Sequence, residues 1–394
     1  MHFLEKKIIW GFLSLSIFFT FAQASNSQSN IIDQELDKIA TALENNQIKH
    51  AFNLSSKLIN IAPNFQAGWV IYGDILNIMS GQWQKPENNS SRDQLAYRSE
   101  ILKRLEALRS EQGTPKKITY PVLIPKSHEY WIYADLTNSR LYIVSNINQQ
   151  IINSIYISQG YNGAFKNKEG DNRTPVGVYR ITRFIPKNQL EGFYGRGAFP
   201  ISYPNNFDIA MGKTGSGIWI HGVPDNLFSR PPLASNGCLV VANDDIANLA
   251  NFINTNKTYI VTSNQSPFNN NQDSHKLISE LQLNFEQWRQ DWESLNSDKY
   301  LSHYAKDFTS DTNLNYESWS EYKKSVNSEK KFILVSVSDL AIIKYPALEN
   351  TFWLSYSQDY QSDNYSQTST KEQIWRKLNG SWQIIFEGRK SKGK

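Results

Sequence analysis

The one cysteine of this 394-residue chain, Cys238, stands in Ser235-Asn236-Gly237-Cys238-Leu239-Val240, downstream of His221 in Ile218-Trp219-Ile220-His221-Gly222. A free thiol with a pKa of about 8.5 is mostly protonated at neutral pH and must lose its proton before it attacks a carbonyl. A histidine within hydrogen-bond reach can take that proton and later return it to a leaving amine. Gly237 allows a tight turn, so that the N–H groups of Gly237 and Cys238 can converge on the oxyanion of a tetrahedral intermediate. Asn236 joins Gly237 as an oxyanion or backbone candidate, and Ser235, Gly222, which relieves crowding beside the base, and Trp219 are the candidates for substrate binding or support. Pairing with His221 is expected to draw the Cys238 thiol below its free pKa. Taken alone, Cys238 reads equally well as a small buried hydrophobe leading into Leu239-Val240-Val241.

Composition narrows the alternatives. A zinc site needs three or four ligands at close spacing. Of six histidines only His221 lies near Cys238, so neither a metal nor a cofactor is expected. Formal net charge is +4 without a long basic run, which argues against nucleic acid as the main partner. At the start, Lys6 and Lys7 precede an apolar run over residues 8–21 and then Ala22-Gln23-Ala24. This reads as a cleaved signal peptide, residues 1–24; the run is shorter than the roughly 20 residues that span a bilayer. A periplasmic protein with no transmembrane segment after cleavage is expected. A lone thiol in an oxidising compartment is expected to be kept for its reactivity.

Three composition regimes must position these residues. Residues 25–115 are helical in period, with Leu36, Ile39 and Leu43, then Ala51, Leu54 and Leu58, at three- and four-residue steps. Residues 51–74 resemble one tetratricopeptide unit with Pro63 between its helices. One unit is too few for an array, so a small bundle that caps the protein or forms a homodimer is expected, with a loop at residues 82–92. Residues 116–264 turn to period two: Tyr130-Trp131-Ile132-Tyr133-Ala134 and Leu141-Tyr142-Ile143-Val144 flank the turn Thr137-Asn138-Ser139. Further strands are expected at 151–157, 176–181 and 258–262, and a helix at 244–253, which together give an all-β sandwich or barrel. Both chemical motifs fall inside residues 116–265, so that segment is expected to keep the thiol chemistry on its own.

A polar linker, residues 265–274, leads to an α+β region, residues 275–394. An amphipathic helix is expected over 277–295, with Leu281, Phe285, Trp288 and Trp292 on one face, and a second helical piece over 300–308. Strands follow at 332–337, 341–345, 351–360, 372–378 and 382–387, with Asn379-Gly380 as a hairpin turn. Trp319, Tyr345, Trp353, Tyr356 and Trp375 are expected to be aromatic core, the alternative being the lining of a glycan or peptide pocket.

Three runs, taken in order, resemble the YkuD-type L,D-transpeptidase catalytic domain over about residues 120–263. They are Gly170-Asp171-Asn172-Arg173-Thr174-Pro175-Val176-Gly177-Val178-Tyr179, then the run through Trp219, His221 and Gly222, then Ser235-Asn236-Gly237-Cys238. The last 120 or so residues are similar to an NTF2-like cone. The approach Lys166-Asn167-Lys168-Glu169-Gly170-Asp171, together with this domain order, resembles the branch of exported murein enzymes that includes cell-shape L,D-carboxypeptidases. The resemblance implies a peptidoglycan stem tetrapeptide as donor, cut between the L-centre of diaminopimelate and the terminal D-alanine through a Cys238 thioester. His221 would be base and then acid. An amine acceptor would give a crosslink, and water a tripeptide. Two positions depart from the family pattern: Asn236 replaces a frequent second histidine, and Val240 replaces a frequent arginine. Arg230, Arg196 and Lys213 are the candidates to supply the missing cation. The competing non-enzymatic reading is a wall-binding protein in which Cys238 is vestigial.

Overall fold

The computed structural model describes residues 28–83, 91–111, 117–268 and 273–390. The expected signal peptide lies outside them, as do most of the 82–92 loop and part of the 265–274 linker. Among the described residues no helix is long and apolar enough to cross a membrane.

The apolar stripes of the N-terminal region form four helices: α1 (Gln28–Glu44), α2 (Ile48–Ile61), α3 (Gln66–Met79) and α4 (Arg92–Glu111). Pro63 falls in the break between α2 and α3, where a missing N–H costs nothing. Ile32, Leu36, Ile39, Leu58, Phe65 and Ile75 form their core, and Phe228 and Ala242 of the middle domain complete it. The bundle therefore caps its own middle domain.

The middle domain is built on two larger sheets, with Leu233–Ser235 and Gln159–Gly160 as an additional two-stranded parallel pair. One has the strand order Ile151–Tyr156, Arg140–Ser145, Tyr130–Asp135, Tyr259–Ser263, Gly177–Arg180; the other runs Leu239–Val240, Trp219–His221, Gly197–Pro200, Ile185–Pro186. Ile132, Leu141, Ile143 and Ile260 from the first share a core with Phe199, Ile220 and Leu239 from the second. The expected helix is shorter than its pattern, Asn243–Leu249.

In the C-terminal domain the helix Asp273–Glu293 lays Leu281, Phe285, Trp288 and Trp292 into the core against a six-stranded sheet. Asn379 (φ 50°) and Gly380 (φ 83°) make the expected turn, between Ser366–Leu378 and Ser381–Arg389. Two expectations need correction. Residues 300–308 are not one helix: Ser297–Ser302 is helical, and Tyr304–Ser310 is a strand pairing parallel with Ser381–Arg389. Tyr300, Tyr304 and Phe308 fall four apart, a helical stripe, but sheet pairing overrides the local pattern. The strands expected at 332–337 and 341–345 are one strand, Ile333–Lys344, kinked by an irregularity between Ser338 and Ala341 with Asp339 at φ 52°. The helix Tyr316–Ser328 escaped the pattern reading, although the Asn315 side chain caps it by accepting from the Ser318 N–H.

The middle segment does not stand alone. Val122–Leu123 pairs with Ile342 and Ile343 of the C-terminal sheet. Trp131, Tyr133 and Val261 share a core with Ile343, Trp353 and Phe386. The buried Arg180 donates to Glu372 (2.6 Å) and Ser355 (2.5 Å). Excising residues 116–265 would expose one core on the bundle side and another on the cone side, contrary to the expectation of an autonomous segment.

Candidate active site

The strand Trp219–His221 and the short strand Leu239–Val240 pair in parallel, with Leu239 opposite Ile220 and Val240 opposite His221. Ile220 and Leu239 turn inward to the core. Alternation then places Trp219, His221 and Cys238 together on the other face. This is how residues 17 apart in sequence come to share one site.

His221 is 1% exposed, and its Nδ1 lies 2.6 Å from the Gly222 carbonyl. A carbonyl only accepts, so Nδ1 carries the hydrogen and Nε2 keeps its lone pair. The ring packs edge-on to Tyr194 at 5.0 Å, and Tyr194 packs on Trp219 at 4.9 Å. Burial, assisted by Arg230, brings the imidazole pKa down to about 4. The thiol of Cys238 is partly exposed, and Sγ donates to the Gly217 carbonyl at 3.5 Å, not to His221. Burial pushes the thiol up; a Trp219 backbone hydrogen bond, Arg230 and Lys166 pull the other way. The expected downward shift of the thiol is therefore corrected. Burial thus disfavours both the thiolate and the imidazolium.

The nucleophile loop is braced from within. Ser235 Oγ donates to the Cys238 carbonyl (2.6 Å) and accepts from the Gly237 N–H (3.1 Å). That use of the Gly237 N–H corrects the expectation that it helps to form an oxyanion hole. Gly237 sits at φ 128°, and a Cβ there would lie 2.7 Å from the Arg173 carbonyl, so only glycine fits. At Gly222 a Cβ would lie 2.2 Å from Asn243 Oδ1, which accepts from the Arg196 N–H. Asn236 is exposed and lines a groove of about 800 Å³ beside the nucleophile loop.

The three candidate cations separate clearly. Arg196 pairs with Asp244 (2.6 Å) at the surface, and Lys213 pairs with the buried Asp208 (2.7 Å). Arg230 is 9% exposed, lines the groove, and lies over the Phe193 ring at 4.2 Å. Of the buried arginines among the described residues, Arg104, Arg140 and Arg180 have carboxylate partners and Arg230 has none. Among the described residues it donates to the Ala234 and Phe193 carbonyls, at 3.4 Å each.

Sequence reasoning missed several supports. Thr174 Oγ1 donates to the Gly237 carbonyl (2.9 Å) and accepts from the Gly160 N–H (3.0 Å), latching the Thr174-Pro175 run to the nucleophile loop. Asp171, held to about 2 by Lys166 and three backbone N–H groups, knits the preceding loop. The motif could have pointed to Thr174; nothing in the sequence pointed to Asn243 or Tyr194.

In the C-terminal domain the five aromatics weighed as a pocket are buried within two cores. A separate cavity of about 530 Å³ is lined by residues that include Trp292, Lys323, Asn327, Tyr360 and Lys371. Lys323 lies over the Trp319 (4.5 Å) and Trp292 (5.0 Å) rings, and burial lowers its amine to about 8.

The architecture is multidomain, with an N-terminal helical bundle before a β-rich middle domain and a C-terminal α+β domain. Residues 129–261 match the L,D-transpeptidase catalytic domain, YkuD, and residues 280–388 match the Cds6 C-terminal NTF2-like domain. The chain therefore carries an L,D-transpeptidase-family catalytic domain followed by an NTF2-like domain, in the order the motifs implied. Bd1075 of Bdellovibrio bacteriovorus is 28% identical, with a TM-score of 0.57 over 71% of this chain and 98% of its own. The helical cell shape determining protein Pgp2 of Campylobacter jejuni is 27% identical, with a TM-score of 0.60 over 72% and 98%. No curated protein matches the sequence.

Proposed function

We propose that the protein is a periplasmic cysteine acyl transferase of peptidoglycan, cutting stem tetrapeptides between the L-centre of diaminopimelate and the terminal D-alanine. His221 Nε2 takes the Cys238 proton as Sγ attacks the carbonyl. The oxyanion then collapses, the imidazolium gives its proton to the departing D-alanine amine, and a thioester remains. A second nucleophile, deprotonated by the same imidazole, breaks the thioester and the thiol is restored. The observation that carries this reading is the 2.6 Å bond from His221 Nδ1 to the Gly222 carbonyl, which leaves Nε2 basic on the face shared with Cys238. The groove cation Arg230 suits the free carboxylate of D-alanine, in place of the family arginine absent at Val240.

Either water or an amine completes the cycle. Resolution by water, an L,D-carboxypeptidase activity, is supported by the match over nearly the full length of a helical cell shape determining protein. Incubation of disaccharide tetrapeptide with the protein, followed by mass spectrometry, tests both outcomes: tripeptide plus D-alanine marks hydrolysis, and a crosslinked or exchanged product marks transfer to an amine. Neither product from pure tetrapeptide or from sacculi would remove the enzymatic reading.

A further inference from the structure

The loop that carries Arg230 is held from outside the catalytic domain. The Phe228 N–H donates to the Asn64 carbonyl between α2 and α3 (2.9 Å), and its ring packs edge-on to Phe65 at 5.6 Å. Ser229 Oγ donates to Glu100 of α4 at 2.6 Å. Glu100 is fully buried and accepts a second bond from Arg104 (2.9 Å), which is tied in turn to Asp33 of α1 (2.8 Å). On the inner side, Tyr156 donates to the Arg230 carbonyl at 3.0 Å, and the Arg104 guanidinium covers that tyrosine ring at 4.1 Å. Three consecutive residues, Phe228 to Arg230, are thus clamped between the helical bundle and the sheet. The third presents the unpaired guanidinium to the groove. Ala96 and Tyr97 of α4 line the same groove, with Phe193, Arg230 and Asn236 among its other lining residues.

We infer that the helical bundle is part of the substrate site: Glu100 and Ser229 position Arg230 to hold the free carboxylate at the end of a peptide substrate, and α4 supplies a wall along that peptide. This rests on the proposed function for the choice of peptide. It adds that an element outside both matched domains sets recognition of the peptide terminus. A buried cation with no internal partner is costly unless a ligand supplies the counter-charge, and a carboxylate matches a guanidinium fork in charge and geometry.

The test compares disaccharide tetrapeptide with the same compound carrying a C-terminal carboxamide. Affinities are measured calorimetrically on the full chain carrying Cys238→Ala, and kcat and KM on the chain with its thiol. The free acid is expected to bind better than the amide by on the order of tenfold, the worth of one charge-assisted contact. Arg230→Gln should erase that preference. Ser229→Ala should reduce it several-fold through KM, and should add little to Arg230→Gln. Tyr97→Ala, on a partly exposed wall, should weaken acid and amide alike. Equal binding of acid and amide by the parent chain, or a Ser229→Ala variant that keeps the full preference or loses both substrates equally, overturns the inference. An acid preference in binding without turnover of either compound would sustain it and defeat the proposed catalysis instead.

Discussion

The opposite effects of burial on His221 and Cys238 set the expected response to pH. Burial holds the His221 imidazole at about 4 and pushes the Cys238 thiol upward. The working form needs a neutral imidazole, so activity is full above that lower value and is lost as pH falls through it. With a pKa of about 4, roughly nine-tenths of the imidazole is neutral at pH 5; with an ordinary value of about 6.5, only about 3% would be. The profile of kcat/KM should therefore stay nearly flat between pH 7 and pH 5, where an unperturbed histidine would lose about 25-fold. Iodoacetamide labelling of Cys238 without substrate should keep rising past pH 9. Replacement of His221 by Ala should cut kcat by about 10²–10⁴-fold, the usual worth of a general base, yet leave the labelling profile nearly in place. A plateau of labelling near neutral pH that moves upward in His221→Ala would instead reveal a preformed thiolate–imidazolium pair.

Other perturbations follow from the packing. Arg180→Ala leaves Glu372, 3% exposed, without its 2.6 Å partner; urea unfolding should register a loss of about 3–5 kcal/mol, partly recovered by adding Glu372→Ala. Gly237→Ala forces a side chain into φ 128° and against the Arg173 carbonyl, so turnover should collapse while the melting temperature falls only modestly, as expected for strain of about 1–3 kcal/mol. Asp245, buried with Oδ2 unpaired, titrates at about 7. That folded value lies above the unfolded one, so its contribution to stability is full below about pH 4 and is lost as pH climbs through 7. Asp245→Asn should flatten the stability profile between those limits and raise the melting temperature at pH 8.

Much of this was legible because the chemistry lies in short local runs. Trp219 to Gly222 and Ser235 to Cys238 are strand ends whose residue types name their tasks, and alternation alone puts Ile220 and Leu239 inward. The Asn379-Gly380 turn and the Leu281–Trp292 stripe were equally local. What escaped depends on residues far apart in sequence. Only the fold shows that Arg230 lacks a partner while Arg196 and Lys213 have one, or that Glu100 reaches Ser229. The thiol and imidazole shifts follow from enclosure, which spacing does not report; pairing suggested a lowered thiol and burial raised it. Residues 300–308 misled for a similar reason, since Tyr300, Tyr304 and Phe308 satisfy a helical period while the strand that pairs with Tyr304–Ser310 lies some 80 residues away.

In the proposed reaction Cys238 carries the acyl group of a peptidoglycan stem peptide. Purified full-length protein, its Cys238→Ala variant and its Cys238→Ser variant should each be incubated with disaccharide tetrapeptide, with released D-alanine quantified and intact protein mass recorded during turnover. D-Alanine should be released by the parent chain alone, with a transient thioester mass on Cys238, and both variants should be silent because neither offers a group that one neutral histidine can readily deprotonate. Release of D-alanine by Cys238→Ala at the parent rate, or its absence in all three proteins, would contradict this role of Cys238.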